Sequence, residues 1–165
     1  NFKIYAIESE CDYRNKSVIG KRNTYFIISF NQNRSYKKLL FDFLGDAKLK
    51  PITLKNKGHN ISLARHSGVI LITNHHELLR SKYSASDYKT ICDSFNVIFL
   101  EGLEKISKEQ QNELKRLVNF VDFCYEKKLQ LVVSAEVDLE EIFPKQKMQK
   151  ETKRTISRIR EICNC

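Results

Sequence analysis

The chain has 165 residues, 41% apolar and 30% charged, which suits one compact domain with a real core. Its 29 Lys and Arg against 20 Asp and Glu leave a net charge of +9, a bias toward acidic partners such as phosphates, nucleic acid or anionic headgroups. No run of about 18 apolar residues and no secretion-signal order is found, so neither a spanning helix nor export is expected and the cytosol is the default compartment.

Five cysteines (Cys11, Cys92, Cys124, Cys163 and Cys165) make an odd count without a C-x-x-C pair, and two fall at core-like helix positions, the pattern of reduced thiols. His75 and His76 are adjacent but lie in no H-E-x-x-H or Cys/His ligand spacing, so no metal site is expected. The first residue is Asn1, not Met, which suggests a chain processed or cut from something longer.

In chain order, residues 1–10 read as an apolar strand and 23–30 (NTYFIISF) as a second, rich in β-branched and aromatic residues. SYKKLLFDFLGD then places Tyr36, Leu39, Leu40 and Phe43 at helical spacing, with Ser35 as N-cap and Gly45 as stop. Residues 51–73 alternate in short runs broken by Gly58 and Ser67-Gly68, which predicts a small antiparallel element with two turns. SASDYKTICDSF offers a capping box, Ser84 with Asp87, and a stripe of Tyr88, Ile91, Cys92 and Phe95, hence a helix leading into the apolar strand NVIFLEGLE.

A second box, Ser107 with Gln110, opens a helix whose face carries Leu114, Leu117, Val118, Val121, Cys124 and Tyr125. With the strand LQLVVSAEV after it, residues 96–135 form a β-α-β unit, expected to be parallel with a right-handed crossover. The fold class is therefore α/β, with subregions 1–83 and 84–165. Residues 144–165 carry seven basic and two acidic side chains, +5 of the net charge, on a helix with Ile156, Ile159 and Cys163 in one stripe and Arg154 and Arg158 stacked beside it.

Glu101, at the tip of an apolar strand, invites comparison with the acidic strand ends of phosphoryl-transfer enzymes. A P-loop, however, needs G-x-x-x-x-G-K-S/T, so that backbone N–H groups close on the phosphates. Only Gly20-Lys21 approaches it, with Arg22 in place of the hydroxyl and Asn15 in place of the first glycine. No G-x-S-x-G elbow occurs, and Asp87, Glu101, Asp122 and Glu136 have no spacing that pairs an acid with a base, so no catalytic residue is assigned.

The stretch LKRLVNFVDFCYEKKLQLVVSAEVDLEEIF resembles the AFG-one-like (ZapE-like) AAA+ ATPases. That family has a helix of the type A-R-R-F-I-x-L-I-D-x-x-Y-D/E and a strand of the type V-K-L-V/I-x-S-A, matched here by Lys115-Arg116, Val121-Asp122, Tyr125-Glu126 and Leu131 to Ala135. SASDY, CDYR (Cys11 to Arg14) and RTISRIREI (Arg154 to Ile162) extend the likeness in order along the chain. Departures are Leu103 near a usual Pro, Thr73 and His75 in place of phenylalanines, Leu79 in place of a cysteine, and Gly58-His59 at a G-R.

The resemblance implies the C-terminal half of an ATPase whose Walker motifs and sensor strand lie upstream, so ATP and Mg2+ would be held by residues outside this chain, which should not hydrolyse ATP alone. It implies remodelling of a protein partner in cell division or protein quality control, with peripheral membrane association, a homo-oligomer and a bacterial cytoplasmic setting as further expectations. Arg154 and Arg158 are the nucleotide-sensing candidates, since guanidinium groups grip phosphate oxygens in a fork. The alternative is a non-catalytic module whose basic tail binds nucleic acid or an anionic membrane, with nucleic acid ranked below a protein partner.

Overall fold

The computed structural model describes residues 20–28, 30–145 and 150–165. The strand expected over 1–10 and the Cys11–Arg14 motif lie outside them. In chain order the elements are β1 (Tyr25–Ile27), α1 (Phe30–Leu44), β2 (Lys50–Asn56), β3 (His59–Ser67), β4 (Ile70–Asn74), one π-helical turn (His76–Arg80), α2 (Ala85–Ser94), β5 (Val97–Leu103), α3 (Gln111–Glu126), β6 (Gln130–Ala135), α4 (Leu139–Ile142) and α5 (Lys150–Cys163).

They build one six-stranded sheet in the order β1-β6-β5-β4-β3-β2. β4, β5, β6 and β1 are parallel to one another, whereas β2 and β3 form a hairpin at one edge, with β3 antiparallel to β4 as well. The parallel β5-α3-β6 unit and the antiparallel element therefore both exist, in a single sheet that crosses the 83/84 boundary. The third run of the antiparallel element, β4, pairs with β3 on one side and runs parallel to β5 on the other.

Alternation along the strands splits the core into two layers. One face carries Leu71, Ile98, Leu100, Leu131 and Val133 against α2, α3 and α5, through Tyr88, Ile91, Leu117, Phe120, Val121, Ile156 and Ile159. The other carries Ile70, Ile72, Val97, Phe99 and Val132 under α1, which contributes Tyr36, Leu39, Leu40 and Phe43. Edge-to-face contacts join Phe26 to Tyr36, Tyr36 to Phe99 and Phe43 to Phe99 at centroid distances of 5.9, 6.0 and 5.5 Å, each adding about 0.5–1.5 kcal/mol to burial.

Local chemistry sets most boundaries. Ser84 and Asp87 form the capping box, each side chain reaching the other's backbone N–H. The β2–β3 turn is Lys57-Gly58, with φ of 43° and 86°, the positive pair that a type I′ hairpin needs. Three expectations are corrected. α1 begins at Phe30, so Ser35 lies inside the helix and is not its cap, although Gly45 does follow its last residue with φ +52°. β1 is three residues long, because β6 offers it only Val133, Ser134 and Ala135 as ladder partners. Ser107 and Gln110 close a turn before α3, the Ser107 N–H donating to Gln110 Oε1 at 2.8 Å, and α3 starts at Gln111 without a side-chain cap.

The C-terminus holds β1 in place. The Thr24 N–H donates to the Cys163 carbonyl at 2.8 Å and its hydroxyl to the Leu131 carbonyl at 2.7 Å, so the end of α5 is tied to β1 and β6 together.

Candidate functional site

Glu101 ends the regular part of β5. A ladder irregularity between Leu100 and Leu103, with Gly102 at φ +63°, turns the chain there, and the Gly102 N–H donates to Ser134 Oγ of β6 at 3.0 Å. The Tyr36 hydroxyl donates to Glu101 Oε1 at 2.8 Å and Arg65 Nη2 to Oε2 at 2.7 Å. Arg65 reaches it because the β2–β3 register shifts between Lys50 and Ile52, where β3 holds an extra residue that reverses which side chains face α1. Burial, and then the Glu101 charge, push the Tyr36 phenol well up, so it stays a donor. With both oxygens occupied, Glu101 is an anchoring carboxylate beside a crevice of about 330 Å³ lined by Phe26, Ile28, Tyr36, Leu40 and Ser134.

Arg154 and Arg158, singled out from the sequence, converge on one carboxylate. Arg154 Nη2 lies 3.0 Å from Asp122 Oδ2, and Arg158 Nη1 donates to Asp122 Oδ1. The Arg158 guanidinium also covers the Tyr125 ring, 4.7 Å from its centroid, while the Tyr125 hydroxyl donates to Glu161 at 3.0 Å. Asp122 meets 154 and 158, and Tyr125 meets 161, so α3 and α5 run in the same direction, with the C-terminal half of α3 laid along α5. Between the two helices lies a polar groove of about 460 Å³ lined by Lys115, Asn119, Asp122, Thr152 and Arg154. Arg158 is largely covered and Arg154 is half exposed toward this groove.

Two buried polar networks were not legible as sites. His75, 1% exposed, accepts the Glu104 N–H at Nδ1 (3.1 Å) and faces Glu113 Oε2 from Nε2 (2.8 Å), which fixes the tautomer with its proton on Nε2. Burial pushes the Glu113 carboxyl up, but His75, Arg80 and Gln110 outweigh it and hold it below its usual range. Thr73, fully buried, donates to Glu77 at 2.7 Å. Both positions that carry phenylalanine in the resembling pattern are thus polar and paired here.

Asp87, 2% exposed, accepts from Asn56 Nδ2 at 2.7 Å and contacts His59 Nε2 at 2.6 Å, which ties the turn end of the hairpin to α2. Burial raises the Asp87 carboxyl, and hydrogen bonds from Asn56, the Ser84 backbone and hydroxyl and His59 lower it further than burial raises it. Cys92 and Cys124 are buried free thiols with sulfurs 3.8 Å apart, and burial followed by the neighbouring thiol raises Cys124 well above the usual thiol range. Cys163 is buried and free, and Cys165 is exposed and free. No group of three or more metal-binding side chains occurs among the described residues, and no helix there is long and apolar enough to cross a membrane.

Comparison with known proteins follows this geometry. The family model described as AFG1-like ATPase matches residues 1–164. A zebrafish (Danio rerio) protein named Lactation elevated protein 1 homolog B is 21% identical over 92% of this chain and 31% of its own length. An uncharacterized protein of Schizosaccharomyces pombe is 28% identical over 86% of this chain and 32% of its own. Cell division protein ZapE of Escherichia coli K12 is 33% identical over 48% of this chain and 21% of its own. The chain spans about a third or less of the length of these curated relatives. No solved structure matches it.

Proposed function

Because this chain belongs to the AFG1-like ATPase family, we propose that it works as the C-terminal portion of an ATPase that couples ATP hydrolysis to remodelling of a protein partner. The observation that carries this reading is the family match along the whole chain, joined to the lack of any phosphate-binding loop in its sequence. In it, ATP and Mg2+ are held by polypeptide outside these 165 residues. The kinship with a cell division protein supports a partner in the division machinery, and a ring-like homo-oligomer and a membrane-peripheral position belong to the same proposal.

Arg154 and Arg158 keep their proposed role as nucleotide-sensing residues, with Asp122 as the positioning group. A carboxylate gripped by two guanidinium groups aligns both forks in advance, so that little side-chain freedom is lost when a phosphate arrives. Arg154 lines the polar groove, and its partial exposure leaves donors free for such a contact. The test is ATP turnover and nucleotide affinity of the native polypeptide carrying Arg154→Ala or Arg158→Ala. The proposal expects turnover to fall about tenfold or more with the melting temperature nearly kept for Arg154→Ala. Unchanged turnover in both variants removes the pair from the nucleotide site and leaves it a helix clamp.

A further inference from the structure

We propose that the crevice beside Glu101 binds a small amphiphile built of an apolar body and one anionic group, at a site separate from the groove between α3 and α5. Its position follows from topology. β1 leads into α1, which packs on the face of Ile72, Phe99 and Val132, whereas β6 leads into α4 and α5, whose Leu139, Ile142, Ile156 and Ile159 pack on the opposite face. The chain therefore leaves the carboxyl ends of two neighbouring parallel strands in opposite directions, and such a switch point is where open α/β sheets form ligand crevices.

Three strand ends make the floor. Phe26 stands beside Ser134 in the β1–β6 register, and alternation turns both toward the α1 side, together with Val132. The Gly102 N–H donates to Ser134 Oγ at 3.0 Å, which sets the tip of β5, with Glu101, on the other flank. Ser134 is the smallest side chain of this row, and the space above it is bounded from α1 by Tyr36 and Leu40. Its volume of about 330 Å³ takes about ten non-hydrogen atoms at the roughly 30 Å³ that a water occupies in the liquid, too few for a nucleotide.

The lining selects the ligand. Phe26, Tyr36, Leu40 and Ile28, the last 52% exposed, offer hydrocarbon to an apolar body. The polar groups offer protons. Glu101 has both oxygens occupied, by Tyr36 and by Arg65, whose guanidinium offsets its charge. The Ser134 hydroxyl proton meets no acceptor among the described residues, and Lys37, exposed and lining the crevice, forms no ion pair with any of them. An ionised acceptor on the ligand answers both donors, and hydrogen bonds to a charged partner are the strong kind. A neutral ligand leaves the Lys37 ammonium unused, and a cationic one is repelled by it.

The test is saturation-transfer NMR of octanoate, 1-octanol and octylammonium, one at a time, over the native polypeptide at low salt. Octanoate should bind about fivefold or more tighter than octanol, with octylammonium weakest. Lys37→Glu should weaken octanoate by about tenfold and place octylammonium ahead of it. Ser134→Val, which fills the floor and removes the hydroxyl, should weaken octanoate and octanol alike, by about tenfold. A charge reversal at exposed Lys153, on the helix that packs on the opposite face, should change octanoate affinity by less than about twofold. Circular dichroism should show both charge-reversal variants folded as the parent. Lack of octanoate binding, equal affinity for octanoate and octanol, or equal loss in Lys37→Glu and Lys153→Glu overturns the proposal. So does unchanged octanoate binding by a folded Ser134→Val variant.

Discussion

Helix α5 and the β2–β3 hairpin are both strongly basic, and they dispose of that charge in opposite ways. In α5, Arg154 and Arg158 share Asp122, and Arg160 pairs with Glu140. In and beside the hairpin, Lys48, Lys50, Lys55 and Lys57 are exposed and none forms an ion pair with a described residue, while Asp87 is buried against Asn56 and His59. Net charge per segment therefore says little about which segment is free to meet an acidic ligand. What decides is whether the fold brings acidic groups across from the basic ones. For α5 it does, through a parallel helix pair whose Asp122 is more than thirty residues away in sequence. For the hairpin lysines it does not: α2 packs on the hairpin's apolar face, and its Asp87 is taken up by Asn56 and His59.

Four variants sharpen this contrast, from the largest expected effect to the smallest. Asp87→Ala removes the cap of α2 and strands the Asn56 amide and the Ser84 N–H, so a loss of about 3 kcal/mol in denaturant unfolding is expected. A loss below about 1 kcal/mol would mean that the hairpin is not fastened to α2 through this carboxylate. Asp122→Ala leaves two guanidinium groups without their acceptor at a partly exposed site, and about 1–2 kcal/mol is expected after allowing for solvent screening. Tyr125→Leu, which keeps an apolar surface but loses the stacked ring face and the bond to Glu161, should cost less than Asp122→Ala. Replacing Lys48, Lys50, Lys55 and Lys57 together by Gln should shift the melting temperature by less than about 2 °C, since none of these ammonium groups pairs with a described residue.

Acid should weaken the fold through two carboxyls. The carboxyls of Asp87 and Glu113 are held below their usual values in the folded chain. Their stabilisation is thus complete above the unfolded values, near 4, and is lost as pH falls through the lower folded values. Unfolding free energy measured from neutral pH downward should decline below about pH 4, and Asp87→Asn should flatten part of that decline. An unaltered acid profile in that variant would show that Asp87 is not titrating in a stabilised form.

Much of the architecture was legible because it is local. The capping box of Ser84 and Asp87, the i, i+3, i+4 stripe of α3 and the apolar runs of β5 and β6 each announce themselves within a short window, and the parallel β-α-β unit follows from their order. Ser35 misled because α1 runs through it back to Phe30, so that Asn33 and Arg34, polar and exposed, lie inside the helix and not before it. Site chemistry was less legible for the same reason in reverse. Tyr36, Arg65 and Glu101 meet from three distant segments, and the bulge that aims Arg65 leaves no mark in composition. Arg154 and Arg158 were visible as a helical pair, but their hold on Asp122 depends on the two helices running parallel.

The central claim, that this chain is an ATPase-family portion without a phosphate cradle of its own, is tested most directly by Mg2+-dependent ATP hydrolysis of residues 1–165 beside the intact polypeptide purified from its source cells. The account predicts no turnover above background for residues 1–165 and ready turnover for a longer native polypeptide. Turnover by residues 1–165 alone, or none from the native polypeptide, would contradict it.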